Sequence, residues 1–228
     1  MDRQSLKIRL KSISDSNSLI DLLSDYNAKK GVGVKSSSLG FDYLAHNVLK
    51  IFVDSSKSLN VLEFGSAGEG FLSTIFFDWH VQHAGDGKVV SVDISAIPKK
   101  EYGKLTRRTQ FVVDDALNFI RNYKGNSFDL IYYDSLSIFF DSPLESMTHH
   151  LELFEKSQHL LNQGGYLVFD DSPLSLDLAM NDIDRDLLEK FEKKHGYLPG
   201  KGALVLMKAD TMKMKKVFHA YALILKQI

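Results

Sequence analysis

The chain has 228 residues, 44% of them hydrophobic and 25% charged, with a formal net charge of −1 and no cysteine. That length supports one decorated domain with a self-sufficient core, and the missing cysteines exclude disulfides, thiolate metal sites and cysteine nucleophiles. A near-neutral balance gives no general attraction to nucleic acid or to an anionic membrane.

No run of about 18 or more apolar residues reads as a membrane span, and the polar opening Met1-Asp2-Arg3-Gln4 is unlike a signal peptide. A cytoplasmic protein is expected. Residues 1–58 read as helical. Ser16-Asn17-Ser18 can cap a helix over Leu19, Ile20, Leu22, Leu23 and Tyr26. A Gly/Ser-rich stretch runs from Gly31 to Gly40, and a second amphipathic helix spans about 41–53, with Phe41, Leu44, Ala45, Val48, Leu49 and Phe52 on one side. This region reads either as a cap over the sheet edge or as a mobile lid hinged at the Gly/Ser stretch.

From residue 59 strand and helix alternate, which argues a mostly parallel sheet covered on both faces. Strands are expected at 59–64, 88–94, 109–113, 128–134 and 165–170, and helices at about 69–83, 97–104, 115–124, 144–162 and 175–195. The apolar run 202–208 reads as a further strand and 216–225 as the last. Their short polar link permits only an antiparallel hairpin. Apolar residues on both faces of 216–225 imply that the last strand lies inside the sheet.

The first strand ends in Val61-Leu62-Glu63-Phe64 and enters Gly65-Ser66-Ala67-Gly68-Glu69-Gly70. Glycines at such a turn let the backbone fold sharply and bring bare N–H groups up to a ligand. A dinucleotide fingerprint laid on Gly65 finds Ala67 where its middle glycine should be, which weakens that reading. The spacing Glu63-x-Gly65-x-x-Gly68-x-Gly70 instead resembles the first motif of the Rossmann-like methyltransferases that use S-adenosylmethionine. The resemblance implies that the Gly65–Gly70 turn, with Ser66 and Ala67, wraps the methionine part of the cofactor, and that Glu63 holds its amino end directly or through water. It also implies a three-layer α/β fold with an N-terminal helical cap over 1–58 and the cofactor-binding domain over 59–228.

Val89-Val90-Ser91-Val92-Asp93 ends the second strand in an acid able to accept both ribose hydroxyls, with Ile94 against the adenine. The lesser alternative is an acid that merely caps the helix that follows. At the end of the third strand, Asp115-Ala116 sits where the family has an acid and a small residue, the acid receiving the adenine amino group. Asp114 stands where glycine is commoner, so either aspartate could take that role.

The fourth strand ends at Asp134 and the fifth at Asp170-Asp171. Three carboxylates meeting at one rim would repel one another and gain from a hard divalent cation such as magnesium, calcium or manganese. The arrangement resembles the metal-dependent O-methyltransferases of the catechol and sugar types, in which the equivalent acids hold magnesium; Asp134, Asp170 and Asp171 are the expected ligands. The sugar-type enzymes often carry a histidine three residues after the strand-four aspartate, and here that residue is Ser137, so the proton acceptor is unassigned. His149, His150 and Asp134 are candidates; His46, His80 and His83 are weaker. Phe139 and Phe140 could line a substrate pocket. The basic group Lys99, Lys100, Lys104, Arg107 and Arg108 reads as a solvated face. The expected reaction is methyl transfer to an oxygen of a small hydroxylated molecule, with no nucleic-acid or membrane partner and the oligomeric state, homo-oligomer included, open. The rivals are a metal-free methyltransferase of a protein or RNA amine, a non-catalytic S-adenosylmethionine-binding protein, and, more distantly, a nicotinamide dehydrogenase.

Overall fold

The computed structural model describes residues 3–29, 37–66, 72–179 and 181–228. Alternating burial along the strands builds it. In the sheet, Val61, Leu130, Tyr132 and Val168 point to one face, while Leu62, Phe64, Ile131, Tyr133 and Leu167 point to the other, as the two-residue period of a strand requires. Each face then needs a helical cover.

Seven strands form that sheet: β1 (Leu59–Phe64), β2 (Gly87–Asp93), β3 (Thr109–Val113), β4 (Phe128–Tyr133), β5 (Leu161–Phe169), β6 (Met214–His219) and β7 (Leu223–Gln227). Their order is β3-β2-β1-β4-β5-β7-β6. The first five are parallel, and β7 lies antiparallel between β5 and β6. The mostly parallel three-layer sheet with an internal, antiparallel last strand is thus the expected one.

One face is covered by α1 (Arg3–Leu10), α2 (Ser16–Ala28), α3 (Ser37–Tyr43), which continues through a π turn (Leu44–Leu49) into α4 (Lys50–Ser55), then α5 (Ser73–Ala84) and α6 (Ile97–Tyr102). Asp15 caps α2, its carboxylate accepting from Ser18 N at 2.9 Å. Phe41 of α3 meets Phe76 edge-on at 4.9 Å and tilts over Tyr132 at 5.9 Å. The buried His80 ties α2 to α5: its Nδ1 donates to Phe76 O, its Nε2 meets Ser16 Oγ at 3.0 Å, and burial pushes its pKa down to about 4. The other face carries α7 (Ala116–Asn122), α8 (Leu144–Ser157) and α10 (Ala203–Lys208), with Phe119, Phe154 and Val205 in its core. Between them in sequence runs α9 (Asp182–His195), capped by Asn181 and stopped by the left-handed Gly196. Among the described residues no helix is long and apolar enough to cross a membrane.

Three sequence expectations fail in the C-terminal part of the chain. Residues 202–208 are not a strand but the helix α10. Ala203, Leu204, Leu206, Met207 and Lys208 are all strong helix formers, and both edges of β7 are already taken by β5 and β6. Nor is 216–225 a single strand. It breaks at Ala220-Tyr221-Ala222, so its two halves become the facing arms of the β6–β7 hairpin. The turn is held from outside, because Ser172 N and Leu174 N donate to the Tyr221 and Ala220 carbonyls at 2.7 Å each. The helix expected over 175–195 likewise begins only at Asp182.

Candidate functional site

The parallel strands β1, β2 and β4 end at one rim, where their C-terminal loops must diverge and leave a crevice. Gly65 makes that possible at β1. Its φ is +88°, and a Cβ placed on it would lie 2.2 Å from the Asp134 carbonyl oxygen. Only glycine lets the β1 and β4 ends come this close. Ala67, Gly68 and Gly70, expected to cradle the cofactor, lie outside the described residues.

Beside Gly65 is a cavity of about 170 Å³ lined by Val92, Asp93, Ile94, Asp114, Asp115, Ala116, Ser135, Leu136 and His149. The structure therefore brings together Gly65, Asp93, Ile94, Asp115 and Ala116, five residues picked from three separate strand ends. Asp93 accepts from Ser66 N at 2.9 Å and Ser95 N at 2.7 Å. That fixes its carboxylate at the mouth, with lone pairs left for a ligand. Asp115 caps α7 through Asn118 N, and Asp114 accepts from Asp115 N and Asn118 Nδ2. Both aspartates line the cavity.

Glu63 sits deeper than a ligand-facing acid. It is fully buried, and its carboxylate accepts from Ser73 Oγ and Thr74 Oγ1 at 2.6 Å and from Ser91 Oγ at 2.5 Å. In this arrangement it clamps the start of α5 to β1 and β2. Burial pushes its pKa up to about 7, against the opposing pull of the three hydroxyls. The folded protein therefore holds this proton more tightly than the unfolded chain. The resulting stabilisation is complete below the ordinary value of 4.5 and is lost as pH rises through 7. Replacing Glu63 with Gln is expected to shift the unfolding free energy relative to wild type by about 3 kcal/mol in the variant's favour across that window. Urea unfolding of both proteins at the two ends of the window checks it, and a difference that does not change with pH would remove the clamp's titration.

His149 Nε2 lies 2.9 Å from Ser135 Oγ in the cavity wall, and burial lowers its pKa, keeping it neutral. His150 is wholly buried. Its Nδ1 donates to Ser146 O at 2.7 Å, and burial followed by the Lys201 charge pushes its pKa well down. Phe139 is exposed at the surface and Phe140 lines a separate cavity against α9, so neither lines the cavity beside Gly65.

Asp134, Asp170 and Asp171 do converge, around a residue that the sequence reading missed. Lys201 Nζ is ion-paired with Asp134 and lies 2.8 Å from Asp171 Oδ2. Asp170 accepts from Tyr132 OH at 2.6 Å and from Asp171 N at 3.0 Å. Burial and the two neighbouring carboxylates push the Asp170 pKa up to about 7, and burial raises that of Asp134 despite Lys201. For Lys201 itself burial alone would favour the neutral amine, but the three carboxylates outweigh it and raise its pKa. The available signal was Gly200-Lys201-Gly202, a lysine between two glycines. The expected divalent ion does not fit these side chains as they stand. An ammonium already fills the space between two of the three proposed ligands, and Tyr132 occupies an oxygen of the third.

A second cavity, about 310 Å³, has Gly200 and Gly202, the neighbours of Lys201, in its wall. It is lined by Ser172, Pro173, Leu174, Tyr197, Leu198, Pro199, Leu206, Met207 and His219, among others. Ser135 of the first cavity follows Asp134 in the chain, and Ser172 of the second follows Asp171.

Residues 84–197 match the family model described as the spermine/spermidine synthase domain. Several solved structures share the fold. A Staphylococcus aureus protein proposed as a caffeoyl-CoA O-methyltransferase is 13% identical, with 98% of this chain and 97% of that one covered at a TM-score of 0.56. A Clostridium thermocellum protein proposed as an rRNA methylase is 17% identical, covering 85% and 97% at 0.52. The MycE methyltransferase of the mycinamycin pathway, solved with Mg and SAH, is 14% identical, covering 81% and 50% at 0.52. No curated protein matches the chain.

Proposed function

The chain belongs to the spermine/spermidine synthase domain family, and on that premise we propose that it transfers an alkyl group, a methyl in the first reading, from S-adenosylmethionine to a small acceptor. The observation that carries this is the 170 Å³ cavity at the strand ends, where Asp93 and Asp115 face the same space beside Gly65. Acids at those two positions suit a ribose diol and an adenine amino group, and the fold is one that methyltransferase structures share.

In the proposed reaction the carbon–sulfur bond breaks as the acceptor's heteroatom attacks in line, so alignment supplies most of the rate. The acceptor then loses a proton. Asp134 stands at the rim with a raised pKa, which makes it a better proton acceptor than an ordinary carboxylate. The largely apolar second cavity would seat the acceptor's body. No step is assigned to a metal. The acceptor's class follows from charge: three acids against one ammonium leave a net negative centre, which favours a neutral amine, whose nitrogen gains positive charge as its bond to carbon forms, over a developing phenolate. The family match favours an amine acceptor too, since making spermine or spermidine joins carbon to an amine nitrogen.

Titration calorimetry with S-adenosylmethionine and its demethylated product tests the cofactor. Saturable binding is expected, weakened about tenfold or more by Asp93→Ala, with NADH silent. No heat with either nucleoside up to millimolar concentration would overturn the proposal.

A further inference from the structure

We infer that Lys201 is the resident cation of the acidic centre, a tethered ammonium that occupies the seat of a divalent ion and excludes one. The chain is shaped to deliver it. A Cβ on Gly200 would come within 2.7 Å of Ser172 Cα, and one on Gly202 within 2.7 Å of Leu223 and 2.9 Å of Phe169. The segment thus presses against the loop after β5 and against β5 and β7 themselves, closer than any side chain would allow. Its backbone is tied to one of the acids its side chain serves and to the next residue: Lys201 N donates to Asp171 O at 3.2 Å, and Gly202 N to Ser172 Oγ at 2.9 Å. Asp171 adopts φ +41°, a left-handed conformation that aspartate tolerates better than most residues.

The lysine side chain is only 2% exposed, whereas those of Asp134 and Asp171 are 16% and 29% exposed. The ammonium therefore lies beneath the carboxylates, out of reach of an acceptor, while they face the rim. That makes Lys201 a positioning residue. A buried carboxylate stripped of its partner cation is strongly disfavoured, so a site that lost this lysine would recruit another cation. A divalent ion suits three oxygen donors.

The inference concerns the same centre as the proposed transfer, but its test reads metal binding and is separable from cofactor binding and turnover. Mn2+ titration followed by electron paramagnetic resonance is expected to show no saturable site on the wild-type protein or on Lys201→Arg, and a saturable site on Lys201→Met at least about tenfold tighter than the weakest binding the titration detects. Stoichiometric Mn2+ binding to the wild type that Asp134→Ala abolishes would overturn the inference, as would a folded Lys201→Met that gains nothing. Should Lys201→Met not fold, the wild type decides. A slowly exchanging ammonium resonance in lysine-labelled protein at neutral pH, missing from Lys201→Arg, is expected, and its absence from the wild type would overturn the assignment.

Discussion

Replacing Gly65 with alanine is expected to lower the unfolding midpoint by about 10 °C and to abolish nucleoside binding. Two penalties act together. At φ +88° an added Cβ meets the backbone's own carbonyl, which is worth about 1–2 kcal/mol. The same atom would sit 2.2 Å from the Asp134 oxygen and 2.8 Å from Ser135 Cα. Both belong to the backbone immediately after a central strand, so relief requires moving the β1 and β4 ends apart, at a further cost of about 1–3 kcal/mol. Asp134 N donates to Phe64 O at 2.8 Å, and that bond would stretch with the shift. Gly164→Ala is the control. Its φ is +75° but nothing lies within 4 Å of the added Cβ, so only the first penalty of about 1–2 kcal/mol applies. Thermal melts of the two variants separate strain from collision, and equal shifts would show that the close approach of β1 to β4 carries no weight.

That close approach was only half legible in the sequence. An apolar run closing on an acid and a glycine places a strand and a sharp turn, and the alternation after it places the four parallel partners. The acids Asp93 and Asp115 could be assigned to a single cavity because strand ends in a parallel sheet share a rim, a rule that needs no side-chain detail. The C-terminus followed no such rule. A short apolar run such as Ala203-Leu-Val-Leu-Met has no period that separates strand from helix, and the hairpin turn at Ala220-Tyr221-Ala222 contains neither glycine nor proline. It is fixed instead by distant donors, Ser172 N and Leu174 N. Lys201 escaped for the same reason. Its partners stand 67 and 30 positions earlier in the chain, and nothing local tells a lysine that will be buried from the solvated ones at Lys193 and Lys208. Three acids at one rim do call for a cation; sequence alone could not reveal that the chain supplies it from within.

Asp134→Asn is expected to reduce turnover by about 10²–10³-fold while changing nucleoside affinity by less than about threefold. The side chains are nearly isosteric, and the amide oxygen still accepts from Lys201, whose second partner Asp171 is untouched. The fold around the centre should therefore persist. What disappears is the negative charge. A carboxylate whose pKa is raised by burial can take a proton from an attacking amine or hydroxyl as its new bond to carbon forms, whereas an amide cannot. Because the nucleoside is expected in the neighbouring cavity, held by Asp93 and the β3 end, its ground-state binding does not draw on that charge. Calorimetry for binding and single-turnover kinetics for transfer separate the two effects. A variant that binds the nucleoside poorly and turns over normally at saturation would move Asp134 from proton acceptor to cofactor ligand. One unchanged in both would place the chemistry elsewhere on the rim, with His149 and its neighbour Ser135 the next residues to test.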